Sequence, residues 1–318
     1  MFTLPISETH AIAIDDSDED SWSVYTVDFD KWTFESFDVE GEGSVQGAHY
    51  DESRDLVWIV AHGALFALQP SEEELFGAPQ PPKDFFIYAV LGNTDQVYAC
   101  GEYQNLWQFS WSSKQWTPLL EPGPKPPRSD DVQTQSQRVK EYARNHPPLY
   151  AGFAVGSDFV FCGALGALVR VRQGNVETTE IATGARLVSG HAENGHIVLS
   201  GDSNGAEIYK GDFDSGFELF FADKQPSLHR TALNDGDRFI AIAEYPASNL
   251  HNLYIYEDEE LIPYNTGCAR EPFPLTSLST IGDTLWATDL AGMFRRKNGK
   301  WSYVGIEDLK SGAWPEDA

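Results

Sequence analysis

A pattern of short β-prone runs separated by turn signals recurs about every 40 to 45 residues, and it limits the fold of this chain more than any other feature. The clearest copy is 282–305 (GDTLWATDLAGMFRRKNGKWSYVG). Within it, three β-prone runs are separated by two turns, at 289–292 and at Asn298-Gly299, the second being a strong hairpin signal. The stretch 274–280 precedes the block and is predicted to add a strand. One unit is therefore four antiparallel strands.

Six further units show the same order of runs. Their second runs are apolar on both faces, as expected for strands covered on both sides. Representative residues of these runs are Trp58, Tyr98, Phe161, Leu199, Ala241 and Trp286. Units of this kind resemble the blades of a β-propeller. The resemblance implies an all-β fold, a seven-bladed β-propeller of four-stranded antiparallel blades, or six blades with the N-terminal unit as a cap.

The resemblance covers nearly the whole chain and is to an architecture. The Trp-Asp dipeptide of WD repeats and the repeated Gly-Gly of kelch blades are missing. The pattern LWAT…AGMFRRKNGKW looks more like generic blades of bacterial sensor and YVTN-type propellers. We therefore interpret 1–318 as one propeller domain, in which 306–318 could supply a further inner strand that closes the first blade on the last.

A Pro-rich insertion at 121–148 interrupts the strand pattern. A helix is predicted from Asp130 to Arg144, with Ser129 as its N-cap and Val132, Val139 and Tyr142 on one apolar face. Five basic and four acidic residues give the insertion a net charge of +1, against −28 for the rest of the chain. Two interpretations stay open: the helix docks on the acidic surface of the propeller, or it is an arm that contacts a partner.

The chain is strongly acidic, with 49 Asp and Glu against 22 Lys and Arg and a net charge of −27. This charge repels nucleic acid and anionic membranes, and it serves solubility or attracts a basic partner. The first residues do not have the pattern of a signal peptide, and no apolar run is long enough to span a bilayer, so we expect a cytoplasmic protein. Three cysteines in no paired pattern predict reduced, mostly buried thiols.

The loops that follow the second strands are the predicted binding face. They contain Asp15, Asp16, His62, Glu102, Asp202, Glu244 and Asp289, acidic at five of the seven units. If these carboxylates gather at one end of a channel, they attract a cation or a basic side chain; otherwise they cap tight turns. Partner binding is assigned to Asp16, His62, Glu102, Tyr103, Asp202, Asn204, Glu244, Tyr245 and Asp289, with Arg138 and Arg144 of the insertion.

Signals for catalysis and metal binding are weak. Asp16, Asp18 and Asp20 have the spacing that opens a calcium loop, but Ser21 replaces its glycine and the closing Glu is missing. The turn at 200–205 is similar to the Asp-box of sialidase-type propellers without its anchoring aromatic residue. The chain contains no GxSxG, Walker or dinucleotide-binding motif. No cofactor, metal or catalytic residue is therefore assigned.

These observations favour a monomeric, non-enzymatic, protein-binding propeller that binds a basic protein through its acidic loop face. By analogy with acidic immunity proteins, the partner would be a bacterial toxin. The alternative is a propeller hydrolase or lactonase that uses a metal or a carboxylate pair in the channel.

Overall fold

The computed structural model describes residues 1–18, 20–82, 85–122, 125, 131–203, 205–224, 228–243, 252–273 and 275–312. These residues form β-sheets of four consecutive strands, each strand hydrogen-bonded to the next in chain order. Seven such sheets are present in the described residues. This confirms the predicted all-β fold of seven four-stranded antiparallel blades and excludes the six-bladed alternative.

The first four sheets lie between residues 2 and 180. Their strands are β1 (Phe2–Pro5), β2 (His10–Asp15), β3 (Ser21–Asp28), β4 (Thr33–Glu40), β5 (Val45–Asp51), β6 (Leu56–Ala61), β7 (Ala64–Gln69), β8 (Glu74–Gly77), β9 (Ile87–Gly92), β10 (Gln96–Gly101), β11 (Leu106–Ser110), β12 (Gln115–Leu120), β13 (Leu149–Val155), β14 (Asp158–Gly163), β15 (Ala167–Arg172) and β16 (Asn175–Glu180).

Three more sheets and two helices complete the described elements. The strands are β17 (Arg186–Glu193), β18 (His196–Asp202), β19 (Ala206–Asp212), β20 (Gly216–Asp223), β21 (Leu228–Asn234), β22 (Asp237–Ala243), β23 (Leu253–Glu257), β24 (Glu260–Pro263), β25 (Leu275–Ile281), β26 (Thr284–Asp289), β27 (Gly292–Lys297) and β28 (Lys300–Gly305). The helices are α1 (Val132–Asn145) and α2 (Ile306–Ser311). No helix in the described part of the chain is long and apolar enough to cross a membrane.

Helix α1 differs from its prediction in two respects. It begins two residues later, because Asp131 is the N-cap and its side chain accepts a hydrogen bond from the Thr134 amide at 2.7 Å. Ser129 and Asp130 lie outside the described residues. The predicted apolar face is not buried: Val132 is 81% exposed and Val139 40% exposed. No residue of helix α1 is buried, so the helix does not pack into the hydrophobic core.

The C-terminal segment was predicted to add a strand, and that prediction is wrong for the part described. Residues Ile306–Ser311 form helix α2, in which Ile306 and Leu309 are buried. The first strand of the first sheet is β1 itself, which pairs with β2. Residues 313–318 lie outside the described part of the chain.

The chain divides into two compact units. The first unit comprises 1–45, 70–75 and 223–318, and it contains the sheets β1–β4, β21–β24 and β25–β28. The second unit comprises 46–69 and 76–222, and it contains the sheets β9–β12, β13–β16 and β17–β20 with most of β5–β8. Each unit has its own buried aromatic core.

In the second unit, one core cluster is built around Trp58 of β6, a strand in which every residue is buried. The ring of Trp58 lies 5.6 Å from that of Phe109 and 6.4 Å from that of Trp116, centroid to centroid. These two rings belong to the neighbouring sheet. Tilted and edge-on aromatic contacts of this kind hold adjacent sheets together face to face.

In the first unit, Trp286 and two buried arginines join β26 and β27 to neighbouring sheets. The Trp286 ring lies 5.1 Å from that of Phe29, edge to face. Arg295 donates to Asp30 at 2.6 Å, and Arg296 donates to Asp235 at 2.7 Å. Because the two arginines are consecutive in a strand, they point to opposite faces and so reach different neighbours.

Part of the acidic charge lies on the last strands of the sheets, where an edge is open. Exposed carboxylates occur on five of these seven strands, namely at Glu35, Asp38, Glu40, Glu74, Glu177, Glu180, Glu218 and Glu260. Charged side chains on edge strands oppose pairing with another chain. This placement indicates that these eight carboxylates protect the sheet edges.

Candidate functional site

Three consecutive sheets of the second unit place a bulky side chain at the tip of the turn between their second and third strands. His62 has φ 49°, Tyr103 has φ 54° and Leu165 has φ 57°. The next residue in each turn, Gly63, Gln104 or Gly166, also has a positive φ. Positive φ at both central residues is the geometry of a type I′ turn, which favours Asn-Gly. Left-handed backbone costs a residue with a side chain about 1–2 kcal/mol.

Glycines at the ends of the preceding strands allow the chain to approach these turns closely. A Cβ atom on Gly101 would lie 2.0 Å from the carbonyl oxygen of Phe86, and one on Gly163 would lie 1.9 Å from that of Pro148. The same two carbonyls accept hydrogen bonds from the amides of Glu102, at 3.0 Å, and Ala164, at 2.9 Å. The segment entering each sheet is thereby fixed beside the turn.

The side chain of Tyr103 lies between helix α1 and a lysine of the same insertion. Its ring centroid is 5.1 Å from that of Tyr142, and the Tyr142 ring is 4.7 Å from that of His146. The Lys125 ammonium lies 4.8 Å from the centre of the Tyr103 ring, within cation–π range. Helix α1 therefore contacts the propeller through an aromatic pair.

A second aromatic row crosses the neighbouring strands β9 and β13. The Tyr88 ring lies 5.2 Å from that of Phe86 and 5.2 Å from that of Tyr150. Burial raises the pKa of Tyr88, and the nearby Glu102, Tyr150 and Tyr103 raise it further. The two aromatic groups are thus neighbours, and we call Tyr88, Tyr103, Tyr142 and Tyr150 the tyrosine cluster.

All four rings of the tyrosine cluster are partly exposed. The hydroxyls of Tyr88, Tyr103 and Tyr150 have no hydrogen-bond partner among the described residues. Five other described tyrosines have hydrogen-bonded hydroxyls, namely Tyr50, Tyr98, Tyr209, Tyr264 and Tyr303. The cluster therefore presents apolar rings and available hydroxyls to a ligand together.

Two predicted acidic residues lie beside this cluster. Glu102 begins the turn of Tyr103, and its Oε2 lies 3.4 Å from the Phe86 amide, a weak hydrogen bond. Asp202 ends β18 and forms a two-pronged ion pair with Arg186, with both N–O distances 3.1 Å. Burial raises the pKa of Tyr150, the Arg186 charge lowers it and the Asp202 charge raises it. Arg186 begins β17, which packs beside the strand β13 that carries Tyr150.

Two predicted acidic residues of the first unit, Asp16 and Asp289, have structural partners. Asp16 pairs with the N-terminal ammonium at 3.0 Å and accepts a hydrogen bond from the Val45 amide at 2.8 Å. Asp289 is 1% exposed, pairs with Arg270 at 3.0 Å and accepts from the Phe273 amide at 2.9 Å. Because it is buried, Asp289 is not available to a partner, which corrects its assignment to the binding face. Asp16 fixes the chain terminus to the turn.

Other predicted residues are placed as follows. His62 is exposed at the tip of its turn, and Arg138 and Arg144 are exposed on α1. Asn204, Glu244 and Tyr245 lie outside the described residues. Within the second unit, the structure therefore brings Glu102 and Tyr103 together and places Asp202 close to the same aromatic row.

A polar cleft of about 460 Å³ lies between the sheets β13–β16 and β17–β20. Its arginines are already paired: Arg172 donates to Asp158 at 2.7 Å, and Arg170 donates to Glu177. The Arg170 guanidinium also lies 4.6 Å from the centre of the Phe213 ring. Because both arginines are already paired, the cleft indicates no anionic ligand.

Among the residues that the structure describes, no group of three or more His, Cys, Asp or Glu side chains is arranged to hold a metal ion. Cys100 and Cys162 are buried and Cys268 is half-buried, all three as free thiols. The mostly buried thiols match the sequence-based prediction.

Reasoning from the sequence missed most of the tyrosine cluster. Tyr142 was assigned to an apolar face of the predicted helix, and neither Tyr88 nor Tyr150 was singled out. A signal was present: each of these two tyrosines is the second residue of its strand, after the buried Ile87 or Leu149. Equivalent positions in adjacent inner strands are neighbours in space.

The fold and these turns define the protein as a seven-bladed β-propeller with an aromatic surface on the turns of its second unit. No protein-family model matches the chain, and no curated protein matches it in sequence. Solved structures do match the fold. The β-propeller domain of Cps50 (Swd1) from Myceliophteria thermophila is 12% identical with a TM-score of 0.58, over 96% of this chain and 98% of that chain.

Two other propellers are similarly related. The WD40 β-propeller domain of Doa1 is 10% identical with a TM-score of 0.58, over 90% of this chain and 88% of that chain. The dihydro-heme d1 dehydrogenase NirN, solved in complex with DHE, is 11% identical with a TM-score of 0.57, over 94% of this chain and 64% of that chain. At such low identity these likenesses establish the fold alone.

Proposed function

We propose that this chain is a non-enzymatic, protein-binding propeller whose partner is a basic protein, and that it acts as a cytoplasmic, monomeric immunity protein against a toxin. The observation that carries the proposal is the net charge of −27. A charge of this size attracts a basic partner over long distances and raises the rate of association. It also disfavours binding to nucleic acid.

A suitable contact surface supports the same proposal. Partly exposed tyrosines beside Glu102 and Asp202 offer both apolar area and negative charge. Tyrosine is enriched at the energetically dominant positions of protein interfaces, because a rigid ring buries much area at little cost in conformational entropy. No comparable set of residues supports the hydrolase alternative within the described part of the chain.

Affinity capture from the native cell, followed by elution in rising salt, tests the proposal. We expect a basic protein, identified by mass spectrometry, to be retained at low salt and released at high salt. We also expect expression of this chain to protect cells against that protein. Retention of an acidic or neutral partner with no dependence on salt would contradict the proposal.

A pair of charge-reversal variants separates a specific surface from the overall charge. Glu102→Lys with Asp202→Lys changes residues beside the tyrosine cluster, whereas Glu35→Lys with Glu40→Lys changes the edge strand β4 by the same net charge. We expect the first pair to weaken partner binding more than the second, since close charges act most strongly. Equal affinities for the two variants would mean that this face is not the contact.

A further inference from the structure

We propose that the tyrosine cluster is the docking surface for an arginine- or lysine-bearing segment of the partner, and that Lys125 occupies the Tyr103 ring in the free protein. The inference rests on the proposed function and deepens it by naming the surface and the chemistry it recognises. Three independent observations support it: a cation already on one ring, ring faces and hydroxyls that remain available, and backbone strain at the residue that presents the ring.

The cation comes from the insertion of this chain. The Lys125 ammonium lies 4.8 Å from the centre of the Tyr103 ring, although Lys125 itself is exposed. An aromatic face attracts ammonium and guanidinium groups through its quadrupole. A basic side chain of a partner can make the same contact once Lys125 swings away, because a long, exposed lysine gains little from one such contact.

The available rings extend the same chemistry to neighbouring positions. Tyr88 and Tyr150 are partly exposed and lack hydroxyl partners among the described residues. The Glu102 carboxylate lies beside the Phe86 amide, and the Phe86 ring contacts that of Tyr88. A guanidinium stacked on Tyr103 or Tyr88 would lie close to the Glu102 carboxylate, whereas the Asp202 carboxylate is already paired with Arg186. Rings with adjacent carboxylates favour arginine or lysine over a neutral side chain.

Backbone strain indicates that Tyr103 is the most important residue of the proposed docking surface. Both central residues of the Tyr103 turn carry side chains at positive φ, 54° for Tyr103 and 60° for Gln104. The Asn-Gly sequence that relaxes such a turn would remove the aromatic ring. Strained residues of this kind concentrate at binding sites, where the side chain is required in that place.

The test uses the full chain and a fluorescein-labelled, amidated arginine-rich peptide, with a glutamine-rich peptide of equal length as its control. Fluorescence anisotropy is measured in titrations at low and at near-physiological salt. Tyr103→Asn removes the ring and suits the left-handed backbone, so it does not endanger folding. Phe273→Asn is the matched control, because Phe273 is an aromatic residue 50% exposed in the first unit.

We expect Tyr103→Asn to weaken binding of the arginine peptide two- to fivefold, as for the loss of about 0.5–1 kcal/mol from one exposed cation–π contact. Phe273→Asn should have no effect. Lys125→Ala should strengthen binding, and this gain should disappear in the Tyr103→Asn background if both residues act at one place.

Two outcomes would overturn the inference. If the arginine peptide binds with strong salt dependence but equally to wild type, Tyr103→Asn and Phe273→Asn, the docking surface is wrong while the proposed basic partner still stands. If the arginine peptide binds no better than the glutamine peptide, the docking surface and the basic partner are both wrong.

Discussion

Replacing Leu165 with asparagine tests whether the strained turns cost the protein stability. Leu165 has φ 57° and ψ 29°, and the next residue, Gly166, has φ 73°, so Leu165→Asn creates the Asn-Gly sequence preferred in type I′ turns. Relief of the left-handed penalty should contribute about 1 kcal/mol. The substitution also gives up the contacts of a leucine that is 42% exposed, so wild type alone is a poor reference.

Leu165→Ala supplies the matched reference, because it loses the same contacts but keeps the backbone penalty. We expect the asparagine variant to exceed the alanine variant by about 1 kcal/mol in free energy of unfolding. For a chain of 318 residues this is a difference in Tm of roughly 1 to 2 °C. Differential scanning calorimetry of the two variants side by side measures it. A Tm of Leu165→Asn equal to or below that of Leu165→Ala would refute the claim that this turn is strained.

Three further predictions concern stability and reactivity. Asp289→Ala should lower the free energy of unfolding by about 3 kcal/mol, since it leaves Arg270 and the Phe273 amide without their carboxylate, and urea denaturation should show this loss. Burial lowers the pKa of His49 to about 4 from 6.5, so the unfolded chain takes up the proton first as the pH falls. The resulting stability is complete above pH 6.5 and is lost towards pH 4, by about 3 kcal/mol, and His49→Gln should reduce this loss in melting curves recorded across that range. Iodoacetamide should modify Cys268 in the folded protein and reach the two buried cysteines only after denaturation, as mass spectrometry of the peptides would show.

The fold could be predicted from the sequence because each sheet is built from consecutive strands. Every four-stranded sheet has its own turn signals and its own apolar second strand. In β26, for example, Trp286 is fully buried. Local patterns of this kind are visible in the residue order. The C-terminal segment was harder to predict, since a short amphipathic run such as Ile306–Ser311 fits a helix as well as an edge strand.

The site was less accessible to sequence reasoning because its contacts join distant residues. Tyr88 of β9 and Tyr150 of β13 meet although three strands, β10 to β12, and the insertion separate them along the chain. Asp16 looked like a free loop carboxylate, yet its partners are the N-terminal ammonium and the Val45 amide. A carboxylate after a strand has the same sequence pattern whether it binds a partner or fixes the backbone, and only its surroundings distinguish the two.

The two turns at Tyr103 and Leu165 share a backbone conformation but differ in what surrounds their side chains. Tyr103 contacts Tyr142 and Lys125, whereas Leu165 is an exposed aliphatic residue. Asparagine should therefore relax the backbone at both turns and weaken binding of the arginine peptide only at Tyr103. If both variants reduced binding equally, the shape of the turns would be the feature recognised. If only Tyr103→Asn does so, the aromatic ring is recognised, and the strain at Tyr103 is the cost of holding it there.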